Sequence, residues 1–496
     1  MNKFLKLLGF DPVEKQTNVK TEIIAGIVTF LAMAYILTVN PNQILYAGTA
    51  DPRWSSLFIA TAFGAIIGTL LMAFLAKMPL AQASGMGLNS LVGSIIGGGI
   101  GFFAYGFSFS LGQAFAMVLI SGLIFLLLSV ITIKGKTFRE LVFDGMPVPV
   151  RSAISVGIGL FIAYIGFQNA GVIVANQYTQ VALADFTNFE TSKAALVALI
   201  GLFLIAILDK LNVKGSVILG IVGATIIGIP FGVTNVKIIT GSEGISWKFW
   251  ENFSNFFSVG ENSVFGSFTS VFSDGFPTGS LFTVIMLIIT MCMIDMFDTM
   301  GTIVGCCGGN RILSDENDKP HNYGKIMVCD AVATCAGAAL GTSTVTTFVE
   351  SGAGVSAGGR TGLTAFTTAC MFLLAIFAMP LFAMIPSAAT AAALIYVGVL
   401  MMKHNVKSMD MSNAITATTG FLTIVVMVLS YSITKGIGIG MISYTLMSAI
   451  AYGVEWIKYS IAKKNDENAE KPVWNVSIVA LVVTALFVVY FFVPVA

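Results

Sequence analysis

The chain has 496 residues, of which 56% are hydrophobic and 10% are charged, and its mean hydropathy is +0.89. Soluble domains carry about 25% charged residues, so this composition excludes a soluble protein and predicts an all-α polytopic membrane protein. The formal net charge of +1 gives no case for nucleic-acid binding.

Apolar stretches of roughly 17–25 residues, the length that crosses a bilayer, predict about 14 transmembrane segments. The predicted spans are Ile23–Asn40, Trp54–Ala76, Ala81–Gly97, Gly112–Ile133, Val150–Phe167, Ala194–Leu208, Gly215–Ile229, Ser280–Thr299, Ile326–Leu340, Thr342–Ala357, Leu363–Ile385, Ala388–Met402, Ala414–Tyr431 and Ile437–Ile457. The final apolar run, Val476–Val493, either spans the membrane or lies along a neighbouring helix. The first apolar run, Ile23–Val39, lacks a small-residue cleavage site, so we expect no cleaved signal peptide.

Lysine and arginine residues concentrate in alternate loops between these spans. Lys134, Lys136 and Arg139 lie in one such loop, whereas the next loop, residues 169–191, has no lysine or arginine. By the positive-inside rule, we expect the N-terminus of this multi-pass protein to lie in the cytoplasm. We also expect the membrane to be the plasma membrane of a bacterial cell.

The spans divide near residue 255 into two groups of seven, which predicts a 7+7 inverted repeat. The third span of each group is interrupted, at Ala81–Gly97 and Thr342–Ala357. Interrupted spans at matching positions of two halves are the best sequence indication of a transporter binding site. The aromatic and polar segment 231–279 between the groups predicts a surface loop with an interfacial helix.

The stretch Gly341–Ala365 combines an apolar setting with few bulky helix formers. Its β-branched first half, Thr342–Phe348, favours an extended chain, and small residues after Glu350 favour a short helix. A broken helix at membrane depth is tolerated where it lines a cavity or is buried in protein. The alternative interpretation is a loop outside the membrane.

Ionisable residues inside the spans are few. Glu350 begins the predicted half-helix, and Asp295 and Asp298 share one face of the eighth span at i, i+3 spacing. Such intramembrane carboxylates are functional candidates by default, although they can also pair with nearby polar groups. Asp330 of the ninth span is predicted to be structural. In the third span, Asn89 of GMGLN offers both a donor and an acceptor.

These groups suit a planar heterocycle with adjacent N–H donors and a carbonyl better than an anion. Glu350 can accept two neighbouring N–H bonds, as on guanine, and helix N-termini can donate to the ring carbonyl. Burial disfavours a charged carboxylate, so proton symport is an expectation, with Asp295, Glu350 and Asp298 as the coupling residues. Six cysteines and two histidines match no zinc pattern, so we expect no metal or cofactor.

Four segments carry a family resemblance that covers nearly the whole chain: AGIVTFLAMAYILTVNP (25–41), SGMGLNS (84–90), DMFDTMGT (295–302) and the 341–365 stretch. With them the sequence resembles the nucleobase/ascorbate transporter superfamily, in particular its AzgA-like hypoxanthine/guanine/adenine permeases. Dimers occur in this superfamily, so a homodimer is among the assemblies that the resemblance allows. It implies a carrier, not an enzyme, that imports purine nucleobases.

The resemblance also implies a domain organisation. The core domain would cover residues 1–147 (spans 1–4) and 280–386 (spans 8–11), the gate domain 148–230 (spans 5–7) and 387–460 (spans 12–14), the extracytoplasmic loop 231–279 and the C-terminal tail 461–496. Substrate would bind between short strands of spans 3 and 10.

By match of motif, Asn89, Asp295 and Glu350 occupy the family's substrate positions. Thr344, Phe348 and Ser351 are further candidates for substrate contact. Ser90 stands where the branch usually has alanine, and members usually lack such an aromatic 230–279 segment, so the preferred purine is open. An anion carrier of the related sulfate-permease architecture is the first alternative, and a membrane enzyme or channel is the second.

Overall fold

The computed structural model describes residues 10, 14–45, 48–96, 109–133, 136–137, 145–213, 215–240, 247–257, 263–307, 312–314, 320–430, 433–463 and 471–492. The helices of this part are α1 (Val19–Met33), α2 (Ile36–Ile44), α3 (Trp54–Leu71), α4 (Met86–Ile95), α5 (Leu111–Val130), α6 (Val148–Asn169), α7 (Phe189–Lys210), α8 (Ser216–Gly228), α9 (Phe249–Phe257), α10 (Val271–Asp274), α11 (Leu281–Cys307), α12 (Tyr323–Leu340), α13 (Ser351–Ser356), α14 (Gly362–Phe377), α15 (Met379–Ala383), α16 (Ser387–Asn405), α17 (Ala414–Leu429), α18 (Ile433–Ala462) and α19 (Ile478–Phe492). The strands are β1 (Gln82–Ser84), β2 (Thr132–Ile133), β3 (Lys136–Thr137), β4 (Ile173–Asn176), β5 (Gln180–Leu183) and β6 (Val345–Thr347).

Long apolar helices dominate the structure. In the described part, 8 helical segments are long and apolar enough to cross a membrane, and shorter apolar helices such as α4, α14 and α17 accompany them. Side chains such as Leu127, 58% exposed, and Phe203, 60% exposed, point outward from α5 and α7. An apolar surface of this kind is suited to lipid. The polytopic all-α class is confirmed, whereas the count of 14 spans stays a prediction.

The two interrupted spans contain the short strands that the sequence predicts. In each, a three-residue strand leads into a half-helix: β1 into α4, and β6 into α13. The strands pair antiparallel, with Gln82 opposite Thr347 and Ser84 opposite Val345. Two further bonds extend the ladder, from Gly85 N to Thr344 O at 3.0 Å and from Phe348 N to the carbonyl of the residue before β1 at 3.0 Å.

The chain packs as two compact units. The first, Met1–Val130 and Ile162–Val397, contains the β1–β6 pair and all the candidate site residues. The second, Ile131–Phe161 and Gly398–Val495, contains α17, α18 and α19. In this second unit the C-terminal helix α19 packs along α18, where the hydroxyls of Thr445 and Thr484 lie 2.9 Å apart.

Two loop regions contain regular structure. In the 169–191 region, β4 and β5 form an antiparallel hairpin that the sequence analysis did not predict. In the 231–279 segment, α9 provides the expected helix and packs on α3, where Phe253 and Phe256 contact Phe63 with ring centroids 5.8 and 5.9 Å away. This aromatic contact explains why the segment is rich in phenylalanine.

The bend from α12 into β6 depends on Gly341. This residue has a φ of +90°, and a Cβ there would lie 1.9 Å from the carbonyl oxygen of Val264. Only glycine takes this left-handed backbone without strain, and the clash with backbone cannot be relieved by a side-chain rotation.

We therefore expect Gly341→Ala to destabilise the protein by about 3 kcal/mol or more. Gly324→Ala is the matched control, because it lies in the first turn of the same helix and its Cβ would meet nothing within 4 Å. Melting temperature and yield of the detergent-purified protein are the measurements. Equal melting temperatures for the two variants would contradict the conclusion that the bend at residue 341 requires glycine.

Candidate functional site

Glu350 occupies the junction between β6 and α13, as predicted. It is the N-cap residue of α13, and its side chain is 6% exposed. The hydroxyl of Tyr35, at the turn between α1 and α2, donates a hydrogen bond to Glu350 Oε1. Within the described part of the chain, Oε2 is buried and has no hydrogen-bond partner. One carboxylate oxygen is therefore bonded within the protein, and the other has no hydrogen-bond partner among the described residues.

The two aspartates of α11 have different surroundings although they share a helix face. Asp298 is half-buried and close enough to Glu350 for the two carboxyl groups to interact electrostatically. Asp295 is 1% exposed, and its Oδ2 accepts a hydrogen bond from the Thr334 hydroxyl at 3.0 Å. Asp298 therefore lies on the helix that packs against α13, which Glu350 caps, and Asp295 is bonded to α12.

Asn89 connects the two broken spans. Its Oδ1 accepts a hydrogen bond from the Ser343 hydroxyl, and its Nδ2 lies 3.4 Å from the carbonyl oxygen of Ser84. Beside it, the hydroxyls of Ser84 and Thr342 are 3.0 Å apart, and Asn40 Nδ2 of α2 donates to Thr342 at 2.8 Å. Asn89 thus belongs to a buried polar network that joins spans 1, 3 and 10.

Asp330 lies beneath the strand pair. Its Oδ1 accepts hydrogen bonds from Gln82 Nε2 at 3.0 Å and from the Thr347 hydroxyl at 3.5 Å, and these two residues are opposite each other in the β1–β6 register. Its Oδ2 accepts from the Thr299 hydroxyl of α11 at 2.7 Å. Asp330 thus connects β1, β6 and α11, as its predicted structural role requires. The paired strands β1 and β6, with the residues that flank them, are called the strand crossing below.

The other candidates of the 341–365 stretch have distinct environments. The Thr344 hydroxyl is buried and has no hydrogen-bond partner among the described residues. The Ser351 hydroxyl accepts a hydrogen bond from Ala81 N at 3.0 Å, so it ties α13 to the segment before β1. Phe348 is 4% exposed and ends the strand ladder. Of these three residues, Thr344 is the one whose side chain has a polar atom without a hydrogen-bond partner among the described residues.

Two contacts of buried residues were not predicted from the sequence. The hydrogen bond from Tyr35 to Glu350 gives no sequence signal, because the two residues are 315 positions apart. Glu22 is fully buried and fixes the start of α14, accepting hydrogen bonds from the N of Thr361, its N-cap residue, at 3.2 Å and from the Thr364 hydroxyl at 2.6 Å. The sequence signal for this role of Glu22 was a carboxylate in the first turn of an apolar span.

Two half-helices with crossing strands define a class of membrane transporter fold. The structure is similar to the transmembrane domain of the cyanobacterium bicarbonate transporter BicA, with a TM-score of 0.59 and 17% sequence identity over 85% of this chain and 97% of that chain. This similarity confirms the inverted-repeat fold.

The sequence comparisons define the family. Residues 20–439 match the model of the Permease family, Xan_ur_permease. The adenine permease AdeQ of Escherichia coli is 36% identical over 431 residues, which are 87% of this chain and 88% of AdeQ. The guanine/hypoxanthine permease PbuO of Bacillus subtilis is 35% identical over 439 residues, which are 88% and 93% of the two chains. The chain belongs to this permease family, the nucleobase/ascorbate transporters, and is a membrane transporter, not an enzyme.

The contacts of Asp330 generate a stability prediction. In Asp330→Asn an amide N–H replaces one acceptor oxygen and faces donors from Gln82, Thr347 or Thr299. We expect a loss of about 2 kcal/mol in stability, because hydrogen bonds to a charged group are worth roughly 1.5–3 kcal/mol each. Thermal melting in detergent measures it. Asp185→Asn, in an exposed turn, is the control and should melt as the parent does.

Proposed function

We propose that this permease imports purine nucleobases by proton symport. The observation that carries the proposal is the buried Glu350 Oε2, an acceptor with no hydrogen-bond partner in the described structure. A buried unpaired acceptor costs free energy unless a ligand satisfies it. AdeQ and PbuO, both similar over most of their length, are named for transport of adenine and of guanine and hypoxanthine.

The polar groups near the strand crossing fit a purine edge. A purine such as guanine or hypoxanthine presents an N1–H beside a C6 carbonyl, so it needs an acceptor next to a donor. Glu350 Oε2 is the acceptor. The N-terminus of α4 is the candidate donor, because Met86, its first residue, contacts the same Tyr35 hydroxyl that bonds Glu350. Asn89, through its amide, holds the crossing strands that carry these groups.

Proton coupling follows from the two neighbouring carboxyl groups. Helix α11, which carries Asp298, packs against α13, and the carboxyl groups of Glu350 and Asp298 interact electrostatically. Two like charges that interact in a membrane protein disfavour double ionisation. This pair binds and releases one proton in each transport cycle, so substrate uptake depends on the proton gradient. Asp295 is a third carboxyl group, on the same helix as Asp298. In this proposal the core domain moves against the gate domain, and the N-terminus lies in the cytoplasm.

Anion transport is the alternative that the fold by itself leaves open, since BicA carries bicarbonate. The side chains described at the crossing argue for a neutral solute with N–H donors. They are carboxylates, hydroxyls and amides, and Glu350 and Asp298 would repel an anion. An anion carrier instead needs cationic or N–H groups at its site.

The test is uptake of radiolabelled guanine and hypoxanthine by cells that lack their own purine carriers. Glu350→Gln keeps the shape of the side chain but turns an N–H group toward the substrate donor, so we expect uptake to fall by about 100-fold. A protonophore should also abolish uptake by the parent. Surface expression of the variant must match that of the parent.

Glu190→Gln is the matched control, because Glu190 lies in the exposed first turn of α7, where its carboxylate pairs with Lys193 at 2.8 Å. It should transport as the parent does. Uptake by Glu350→Gln close to the parental rate would contradict the binding role of Glu350. Parental uptake that the protonophore leaves intact would contradict proton symport but not purine transport.

A further inference from the structure

We infer that Tyr35 determines specificity among purines by occupying one of the two oxygens of Glu350. The inference rests on the proposed function and concerns which purine the site prefers. Tyr35 is fully buried, at the turn where α1 ends and α2 begins. Its hydroxyl donates to Glu350 Oε1 and lies 3.7 Å from Met86 Sδ of α4. It therefore reaches Glu350 from span 1 and is held in place from span 3.

The contact makes the two oxygens of Glu350 unequal. Oε1 already accepts the phenol hydrogen, whereas Oε2 has no partner in the described part of the chain. A first N–H of a substrate therefore binds at Oε2 without displacing any protein group. Oε1 already accepts the buried, charge-assisted hydrogen bond of the Tyr35 hydroxyl. A second N–H at Oε1 must share that oxygen with the phenol or displace it.

Purines differ in the number of donors on this edge. Hypoxanthine presents one N–H, at N1, next to a C–H at position 2. Guanine presents two, N1–H and the 2-amino group, which match both oxygens of a free carboxylate. With Tyr35 in place, Glu350 satisfies the single donor of hypoxanthine fully and leaves the 2-amino group of guanine without an acceptor of its own. An unpaired donor in a buried site costs affinity, so the 2-amino group brings no net gain.

The protein without substitution supplies the first measurement. Unlabelled guanine and hypoxanthine each compete against uptake of labelled hypoxanthine by the parent chain. We expect guanine to compete no better than hypoxanthine. Guanine competing about tenfold better in the parent would show that both Glu350 oxygens receive substrate donors, and would overturn the inference.

Tyr35→Phe is the variant that isolates the hydroxyl, because it keeps the ring and removes only the donor. Without the phenol, Glu350 can bind both donors of guanine, so the ratio of guanine to hypoxanthine affinity should rise by about tenfold, the effect of one hydrogen bond to a charged group. The ratio is taken within one variant, so a change in expression or in total activity cancels. A purely structural role for Tyr35 would lower both affinities and leave the ratio unchanged.

One control accompanies the variant. Tyr459→Phe removes the hydroxyl of a buried tyrosine on α18, in the second compact unit, and should leave the ratio unchanged. If Tyr35→Phe transports too little, thermal stabilisation of the purified variant by each purine gives the same ratio.

The outcomes separate the inference from the proposed function. Failure of the parent to take up or bind any purine would overturn both. Parental transport with an unchanged ratio in Tyr35→Phe would overturn the role of Tyr35 alone. A fall in the ratio would also overturn it, because it would mean that the Tyr35 oxygen itself accepts the second donor of guanine.

Discussion

The pairing of β1 with β6 is the interaction on which the rest of the structure depends. Extended backbone at membrane depth must have its N–H and C=O groups satisfied inside the protein. The antiparallel ladder satisfies one edge of each strand, and a threonine from a neighbouring helix satisfies part of the other. Thr69 of α3 bonds both backbone groups of Gln82 at 3.0 and 3.1 Å, and Thr334 of α12 donates to Val345 O at 3.2 Å.

Helix α12 holds further groups of the strand pair. Its Asp330 bonds Gln82 of β1, and its Thr334 lies between Asp295 and β6, so one helix fixes both the strands and the candidate carboxylate Asp295. Many polar groups of this network are bonded to one another. The buried side-chain atoms that have no hydrogen-bond partner among the described residues include Glu350 Oε2 and the Thr344 hydroxyl, which lie on either side of β6 in the chain, and also Asn40 Oδ1 and Gln82 Oε1.

The sequence was sufficient for the fold class and for the position of the breaks. Hydropathy predicts helices, and a run of β-branched residues such as Thr342–Phe348 inside an apolar region predicts an interruption, because both signals are local. The placement of Glu350 at a strand-to-helix junction followed from the same local pattern. The hairpin β4–β5 was missed because its strands are short, exposed and without a clear alternation of polar and apolar residues.

The sequence by itself determined which residues are polar inside apolar spans, and so which ones must find partners or function. Only the tertiary structure decided the partners, because they come from segments far apart in the chain: Tyr35 meets Glu350 across 315 positions, and Gln82 meets Asp330 across 248. Asp295 and Asp298 lie on the same helical face, yet one is bonded to α12 and the other interacts electrostatically with Glu350. Such differences arise from packing between helices, which no local pattern encodes.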